Sequence, residues 1–212
     1  MEVYPLMEEQ ARKGAQFYDH LMRRYSAEIL GMSPEDLRAE YIEQLEVTPG
    51  ARILDVGAGT GTDLAFLWSK IACAQLFALD ISVEMLRQCQ RKLRKVKAQA
   101  EMFLGFAERL PFKDSTFEVV CHVGSINEFK DQRLAIQEMV RVAKSGTRIV
   151  IVDEWLTDEN VAQPMGQRMV ETLPSLPRSV VPPLDCVPTD MLESRVNPIW
   201  RGYGYCLQFR KP

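Results

Sequence analysis

A glycine-rich turn follows the first short apolar run of the chain, and its residue types suit ligand binding. Asp55 lies two residues before the first of the glycines Gly57, Gly59 and Gly61. Glycine permits positive φ angles and lets a ligand approach the backbone closely, and free N–H groups at a helix start attract anionic groups. The next apolar run ends at Asp80, where a carboxylate can accept hydrogen bonds from ribose hydroxyls.

The spacing of the glycines separates two classes of nucleotide ligand. A dinucleotide fingerprint requires Gly-x-Gly-x-x-Gly, whereas Thr62 occupies its sixth position here. Asp55, so close to the turn, would repel a pyrophosphate and attract a cation. The residues therefore favour a ligand with a ribose, an amino group and a positive charge. An NAD-dependent oxidoreductase, and a glycine turn that serves only strand–helix packing, remain as alternatives.

An alternation of strands and helices is needed to bring these residues together. Short apolar runs, which predict strands, alternate along the chain with segments of helical apolar spacing. The predicted strands are residues 52–56, 75–80, 100–104, 117–123 and 147–153, and predicted helices cover 64–68, 82–95 and 131–142. This alternation predicts a largely parallel sheet, which binds ligands at the carboxyl ends of its strands.

The two ends of the chain differ from this alternating unit. The first 45 residues have helical apolar spacing, and Ser33-Pro34 is typical of a helix start. Residues 174–188 are rich in proline and predict a loop, which two strands at 191–200 and 204–209 follow. We therefore expect an N-terminal helical lid at residues 1–48 and a single compact unit at residues 49–212.

Composition limits the classes of function. The 212 residues include 26 basic and 29 acidic side chains, and the resulting net charge of −3 argues against a nucleic-acid partner. No apolar run approaches the roughly 20 residues that cross a bilayer, and we expect neither a transmembrane segment nor a signal peptide. The five cysteines form no Cys-x-x-Cys pair, which predicts no metal site and suits a cytoplasmic location. The oligomeric state stays open.

Four motifs occur in a fixed order along the chain. They are ILDVGAGTG at 53–61, ALDISVEML at 78–86, GFAERLPF at 105–112 and EMVRVAKSG at 138–146. Together they resemble the class I S-adenosylmethionine-dependent methyltransferases, and among these the family related to the ubiquinone/menaquinone C-methyltransferases. The resemblance covers residues 15–210. It implies S-adenosylmethionine as cofactor and a Rossmann-like, doubly wound α/β fold with a seven-stranded, mostly parallel sheet whose last strand is antiparallel.

The resemblance also implies which residues bind the cofactor. The glycine turn would hold the methionine part, Asp80 the ribose hydroxyls, and Ile81 and Met85 the adenine. Phe106 stands where the family usually has Asp, so we expect it to contact the adenine while Glu108 or backbone carbonyls bind the amino group. The full predicted set is Tyr18, Asp55, Gly57, Ala58, Gly59, Gly61, Asp80, Ile81, Met85, Phe106, Ala107, Glu108 and His122.

Candidates for proton transfer follow the fourth and fifth strands. His122 has a suitable pKa range, although its ring could instead hydrogen-bond away from the reaction. Glu128 could act as a base or cap the next helix, and Asp153-Glu154 could reach the substrate or form a solvated pair. Methyl transfer from a sulfonium is an in-line displacement that depends mainly on positioning, so no single residue needs to be obligatory.

These observations together predict an S-adenosylmethionine-dependent methyltransferase for a small-molecule or lipid-like acceptor. A non-catalytic cofactor-binding module of the same fold is the alternative. The basic run at 87–97 predicts a solvated helix face, with peripheral membrane contact as the other interpretation. We expect the proline-rich loop to determine which acceptor binds.

Overall fold

A single sheet runs through the centre of the computed structural model, which describes residues 14–15, 17–70, 74–172 and 179–212. Its strands are β1 (Arg52–Val56), β2 (Gln75–Asp80), β3 (Ala100–Leu104), β4 (Val119–Val123), β5 (Arg148–Glu154), β6 (Leu192–Ile199) and β7 (Gly204–Arg210). The order across the seven-stranded sheet is β3-β2-β1-β4-β5-β7-β6. Strands β1 to β5 pair in parallel, and β7 runs antiparallel to β5 and β6. This confirms the predicted fold, and the winding reverses next to β1, where such sheets bind ligands.

Helices cover both faces of the sheet. They are α1 (17–24), α2 (Pro34–Ile42), α3 (Thr62–Lys70), α4 (Val83–Lys95), α5 (Gln132–Val142), α6 (Asp158–Val161) and α7 (Pro164–Thr172). A π-helical turn, Tyr25–Leu30, extends α1 and ends at Gly31. Two predicted helix starts are confirmed, because the Ser33 and Ser82 hydroxyls accept hydrogen bonds from backbone N–H groups of α2 and α4 at 3.0 and 3.3 Å.

The apolar core forms two layers, one on each face of the sheet. Neighbouring residues of β1 show the division, since Ile53 packs in the layer beneath α3 and α4 and Leu54 in the layer beneath α5. Burial on both faces explains why these strands are continuous apolar runs. Tyr25 and Tyr41 of the N-terminal segment belong to the same layer as Ile53. The division into a lid at 1–48 and a unit at 49–212 stays a prediction.

The segment between β5 and β6 contains helices that the sequence reading did not predict. Helix α6 begins at a capping box, in which the Thr157 hydroxyl and the Asn160 side chain each accept a hydrogen bond from the other residue's backbone N–H. Gly166 packs α7 against this turn, because a Cβ there would overlap the Asn160 carbonyl. Helix α6 has only four residues, too few to show a helical period, whereas α7 is as long as α3.

Strand boundaries differ slightly from the prediction. Strand β4 begins at Val119 rather than at Phe117, which forms only an isolated bridge to Ala143. The predicted C-terminal strands are confirmed as β6 and β7, joined by a 3₁₀ turn at Trp200–Gly202. Residues 173–178, which include part of the proline-rich loop, and residues 1–13 lie outside the described residues.

Candidate active site

The glycine-rich turn lies at the carboxyl end of the sheet, between β1 and α3. Its backbone is tied to β2, since Gly57 N and Ala58 N both donate to the Leu79 carbonyl, at 2.7 and 2.9 Å. At Gly59, no atom of the described residues comes within 4 Å of the position that a Cβ would occupy. The turn is therefore rigid, and one of its faces is open to a ligand.

Position 61 requires glycine because α4 packs closely against it, whereas Gly59 faces open space. Its φ is +72°, and a Cβ at this position would overlap the Cys89 sulfur of α4. Cys89 is fully buried. The last glycine of the turn thus fixes α4 next to α3.

The Asp80 carboxylate stands beside the turn and is held by two backbone donors. Its Oδ2 accepts from Gly59 N at 2.8 Å, and its Oδ1 accepts from Ser82 N at 2.8 Å. Burial raises the pKa of Asp80, and the hydrogen bonds from Ser82 and Gly59 oppose that rise. A carboxylate has about four lone-pair sites, so both oxygens retain acceptor capacity for hydroxyl groups such as those of a ribose.

Exposed apolar side chains flank Asp80 on the loops after β2 and β3. Ile81 is 66% exposed and Phe106 is 61% exposed. Met85 is half-buried and Ala107 is buried on the same side of the sheet end. Glu108 accepts a hydrogen bond from Asp131 N at 3.3 Å. The predicted adenine-binding residues thus present an apolar surface that an aromatic ring would cover.

Three carboxyl groups, those of Asp55, Asp63 and Asp80, lie near one another at the end of β1 and the start of α3. Asp55 is buried, and its pKa is raised first by that burial and then by the neighbouring Asp63 and Asp80 carboxylates. Among the three carboxylates, and within the residues that the structure describes, Asp63 alone has an ion-pair partner, Arg38 at 3.1 Å. A ligand that brings positive charge would offset these repulsions, so the cleft fits a cationic ligand better than an anionic one.

The His122 ring lies beneath the glycine turn and is fully buried. Its Nδ1 is 2.6 Å from the Val56 carbonyl, and because a carbonyl only accepts, Nδ1 carries the proton. Nε2 has no partner among the residues that the structure describes. Burial lowers the pKa of His122, which keeps the ring neutral and makes it a weak base. Its predicted roles in cofactor binding and proton transfer stay predictions.

The turn after β4 positions Glu128 and Asn127. Glu128 is exposed at the end of a 3₁₀ turn, Ile126–Glu128. The interpretation of Glu128 as a helix cap is wrong, because the Asp131 carboxylate accepts from Leu134 N at 3.0 Å and caps α5 itself. Its interpretation as a base stays a prediction. The Asn127 amide donates to Asp153 at 2.9 Å and so connects the ends of β4 and β5.

Helix α1 closes over the glycine turn through a polar latch that the sequence did not predict. The Asp19 carboxylate accepts from the Thr60 hydroxyl at 2.6 Å and pairs with Lys92 of α4 at 2.7 Å. Lys92 also donates to the Thr60 hydroxyl at 2.9 Å. The prediction that Lys92 belongs to a solvated basic face is therefore wrong for this residue. We call Asp19, Thr60 and Lys92 the latch.

Tyr18 precedes the latch and extends towards the cleft. The residue is 37% exposed, yet burial of its hydroxyl end and the charges of Asp63 and Glu154 raise its pKa. Its hydroxyl therefore lies near these two carboxyl groups. Its predicted role in cofactor binding stays a prediction.

Comparison with known proteins indicates the same family as the sequence motifs. A methyltransferase domain model matches residues 54–151. The Bacillus subtilis protein YrhH is 28% identical over 154 residues, 73% of this chain and 82% of its own. The ubiquinone/menaquinone biosynthesis C-methyltransferase UbiE of Burkholderia mallei is 35% identical over 118 residues, 55% of this chain and 48% of its own. A crystal structure of a SAM-dependent methyltransferase from Aquifex aeolicus superimposes with a TM-score of 0.62 at 18% identity, over 82% of this chain and 90% of that one.

Residues 54–151 match the methyltransferase domain family, and the relatives and solved structures together support a class I S-adenosylmethionine-dependent methyltransferase. The matched region covers about half, 48%, of the length of UbiE. S-adenosylmethionine is the cofactor of this chain, and the geometry fits this group. The unbalanced Asp55 suits a cation, Asp80 suits a ribose, and the exposed Ile81 and Phe106 suit an adenine.

Two further features of the methyltransferase concern metal ions and membranes. Within the described ranges, no group of three His, Cys, Asp or Glu side chains is arranged to hold a metal ion. The described helices also include none with the length and apolar character needed to cross a bilayer.

Proposed function

We propose that this methyltransferase transfers the methyl group to a small organic acceptor, and that a reduced quinone ring is the first class to test. The name of the Burkholderia relative, which refers to ubiquinone and menaquinone biosynthesis, suggests this class. The main support for cofactor binding is the position of the Asp80 carboxylate. It accepts hydrogen bonds from Gly59 N and Ser82 N and lies beside the exposed Ile81.

Each part of the cleft would then bind one part of the cofactor. The Asp80 carboxylate would accept hydrogen bonds from the ribose hydroxyls, and Ile81 and Phe106 would pack on the adenine. Asp55 would balance the positive charge of the methionine end. Tyr18 would cover the bound cofactor from α1.

The reaction requires positioning more than acid–base chemistry. S-adenosylmethionine supplies a methyl group on a positively charged sulfur. The protein must align the acceptor atom with that methyl group and exclude water, and such alignment contributes up to about 7–11 kcal/mol. The latch between Asp19, Thr60 and Lys92 would keep α1 closed over the site during this step. His122 would support the turn as a neutral ring.

Transfer of labelled methyl groups tests the proposal. The full chain is incubated with methyl-labelled S-adenosylmethionine and either the lipid-soluble or the water-soluble fraction of a cell extract. We expect S-adenosylhomocysteine to form and the label to enter the lipid-soluble fraction, with Asp80→Ala as the negative control. Binding of S-adenosylhomocysteine without turnover in either fraction would instead indicate a non-catalytic binding module. Calorimetric binding of NAD in preference to S-adenosylhomocysteine would contradict the cofactor assignment.

A further inference from the structure

A cavity of about 340 Å³ lies between α1 and the second half of α4 and borders the latch. Its lining is Asp19 of α1 and, from α4, Gln88, Arg91, Lys92, Arg94 and Lys95. Four of these side chains are cationic and one is acidic, although the whole chain carries a net charge of −3. Sites for small molecules have volumes of about 300–1,000 Å³, so the space suits a small ligand. We call it the basic cavity.

Three cations of the basic cavity, Arg91, Arg94 and Lys95, are exposed and close together on α4. They follow one another at helical spacings of three and four residues, at which like charges destabilise a helix. Within the described ranges, the ion pairs of α4 involve only Arg87 and Lys92. A bound anion would therefore relieve the repulsion among the three cations.

Lys92 is the cation of the basic cavity that the protein itself neutralises. Its ammonium group has three N–H donors, which meet the Asp19 carboxylate at 2.7 Å, the Thr60 hydroxyl at 2.9 Å and the Thr62 hydroxyl. An anion in the basic cavity can bind Lys92 only by displacing one of these acceptors. Asp19 is the acceptor that also lines the cavity, and an anion would repel its carboxylate. Anion binding and the Asp19–Lys92 ion pair therefore compete.

The charge and shape of the donors favour a phosphate group as the ligand. With Lys92 balanced by Asp19, three positive charges remain, on Arg91, Arg94 and Lys95. The planar fork of an arginine donates two parallel hydrogen bonds to phosphate oxygens. A phosphate monoester brings about 1.5–2 negative charges at pH 7, whereas a single carboxylate brings one.

We propose that the basic cavity binds a phosphate monoester, carried by a free small molecule or by a lipid headgroup, and that the bound phosphate draws Lys92 away from Asp19 and loosens α1 over the glycine turn. The bound phosphate would thus act on the latch from outside the cofactor cleft. This site is independent of the proposed function, because neither the methyl donor nor the acceptor takes part in it.

Binding of glycerol 3-phosphate to the full chain, measured by isothermal titration calorimetry, tests the site. We expect Arg94→Gln/Lys95→Gln to bind it at least about tenfold more weakly than the wild type, because two charged donors are lost. Lys113→Gln/Lys130→Gln removes the same charge at exposed positions outside the basic cavity and should bind like the wild type. Equal weakening in the two double variants would show a general charge effect and overturn the site.

Vesicles separate the two sources of the phosphate group. Sedimentation of the chain with vesicles of equal parts phosphatidylcholine and phosphatidic acid is compared with sedimentation with phosphatidylcholine alone. Binding to the phosphatidic acid vesicles that Arg94→Gln/Lys95→Gln abolishes would identify a lipid headgroup as a ligand. Binding of glycerol 3-phosphate without binding to these vesicles would identify a free phosphate ester. Binding of neither probe by the wild type would overturn the proposal.

Hydrogen exchange tests the competition for Lys92. With the bound probe at saturation, exchange of residues 17–24 should quicken about threefold or more, compared with sodium chloride at the same ionic strength, which controls for screening. In Lys92→Met the probe should cause no further change, because the ion pair with Asp19 is already lost. Unchanged exchange in the wild type, or equal quickening in both proteins, would refute the coupling between the basic cavity and the latch.

Discussion

Asp80 is the residue on which cofactor binding most depends, because one carboxylate both fixes Gly59 and faces the cleft. We predict that Asp80→Ala weakens binding of S-adenosylhomocysteine by about 1.5–3 kcal/mol, the scale of a hydrogen bond to a charged group. Isothermal titration calorimetry measures this difference. Asp190→Ala, an exposed acid in the turn before β6, is the control and should bind like the wild type. An unchanged dissociation constant in Asp80→Ala would remove this residue from the site.

His122 makes stability depend on pH. Burial lowers its pKa in the folded state below the unfolded value of about 6.5. Between these two pKa values the unfolded chain binds more protons than the folded chain, so the free energy of unfolding falls as the pH falls. Compared with His122→Asn, the wild type should therefore lose stability below about pH 6.5, at up to about 1.4 kcal/mol per pH unit. Urea unfolding at several pH values measures this, and parallel curves for the two proteins would refute it.

At the scale of elements, the latch is the contact that holds α1 on the glycine turn. In Lys92→Met we expect α1 to open more often, because Asp19 loses its ion pair at 2.7 Å and the Thr60 hydroxyl loses a donor. A partly exposed pair contributes about 1 kcal/mol, so hydrogen exchange of residues 17–24 should quicken about fivefold. Arg91→Met changes an exposed cation on the same helix and serves as the control. Equal exchange in both variants would show that apolar packing alone holds α1.

At the scale of the whole molecule, a bound cofactor should stabilise together parts of the chain that are far apart in sequence. The cleft is built from α1, the turn after β1 and the ends of β2 and β5, so a bound ligand stabilises all of them together. At a concentration about 100 times the dissociation constant, S-adenosylhomocysteine adds about 2.7 kcal/mol. For a chain of this size, that raises the melting temperature by roughly 5–11 °C. Differential scanning calorimetry should show this rise with S-adenosylhomocysteine, while an equal rise with NAD would contradict the cofactor assignment.

The sequence by itself determined the central fold and the glycine turn. Strands β1 and β2, the helix start at Ser82 and the placement of Asp80 beside the turn depend on local apolar spacing, on capping residues and on the common edge at which parallel strands end. Helix α6 was not predicted because four residues give no helical period. Helix α7 was missed as well, although it is as long as α3.

Only the tertiary structure decided which distant polar groups meet. Asp19 pairs with Lys92 because α1 folds back over α4. Tyr205 lies opposite Asp153 because of the register in which β7 pairs with β5. The same packing removed Lys92 from the solvated face on which helical spacing had placed it. Pattern and spacing describe neighbours along the chain, whereas contacts such as these depend on how whole elements pack to bury their apolar faces.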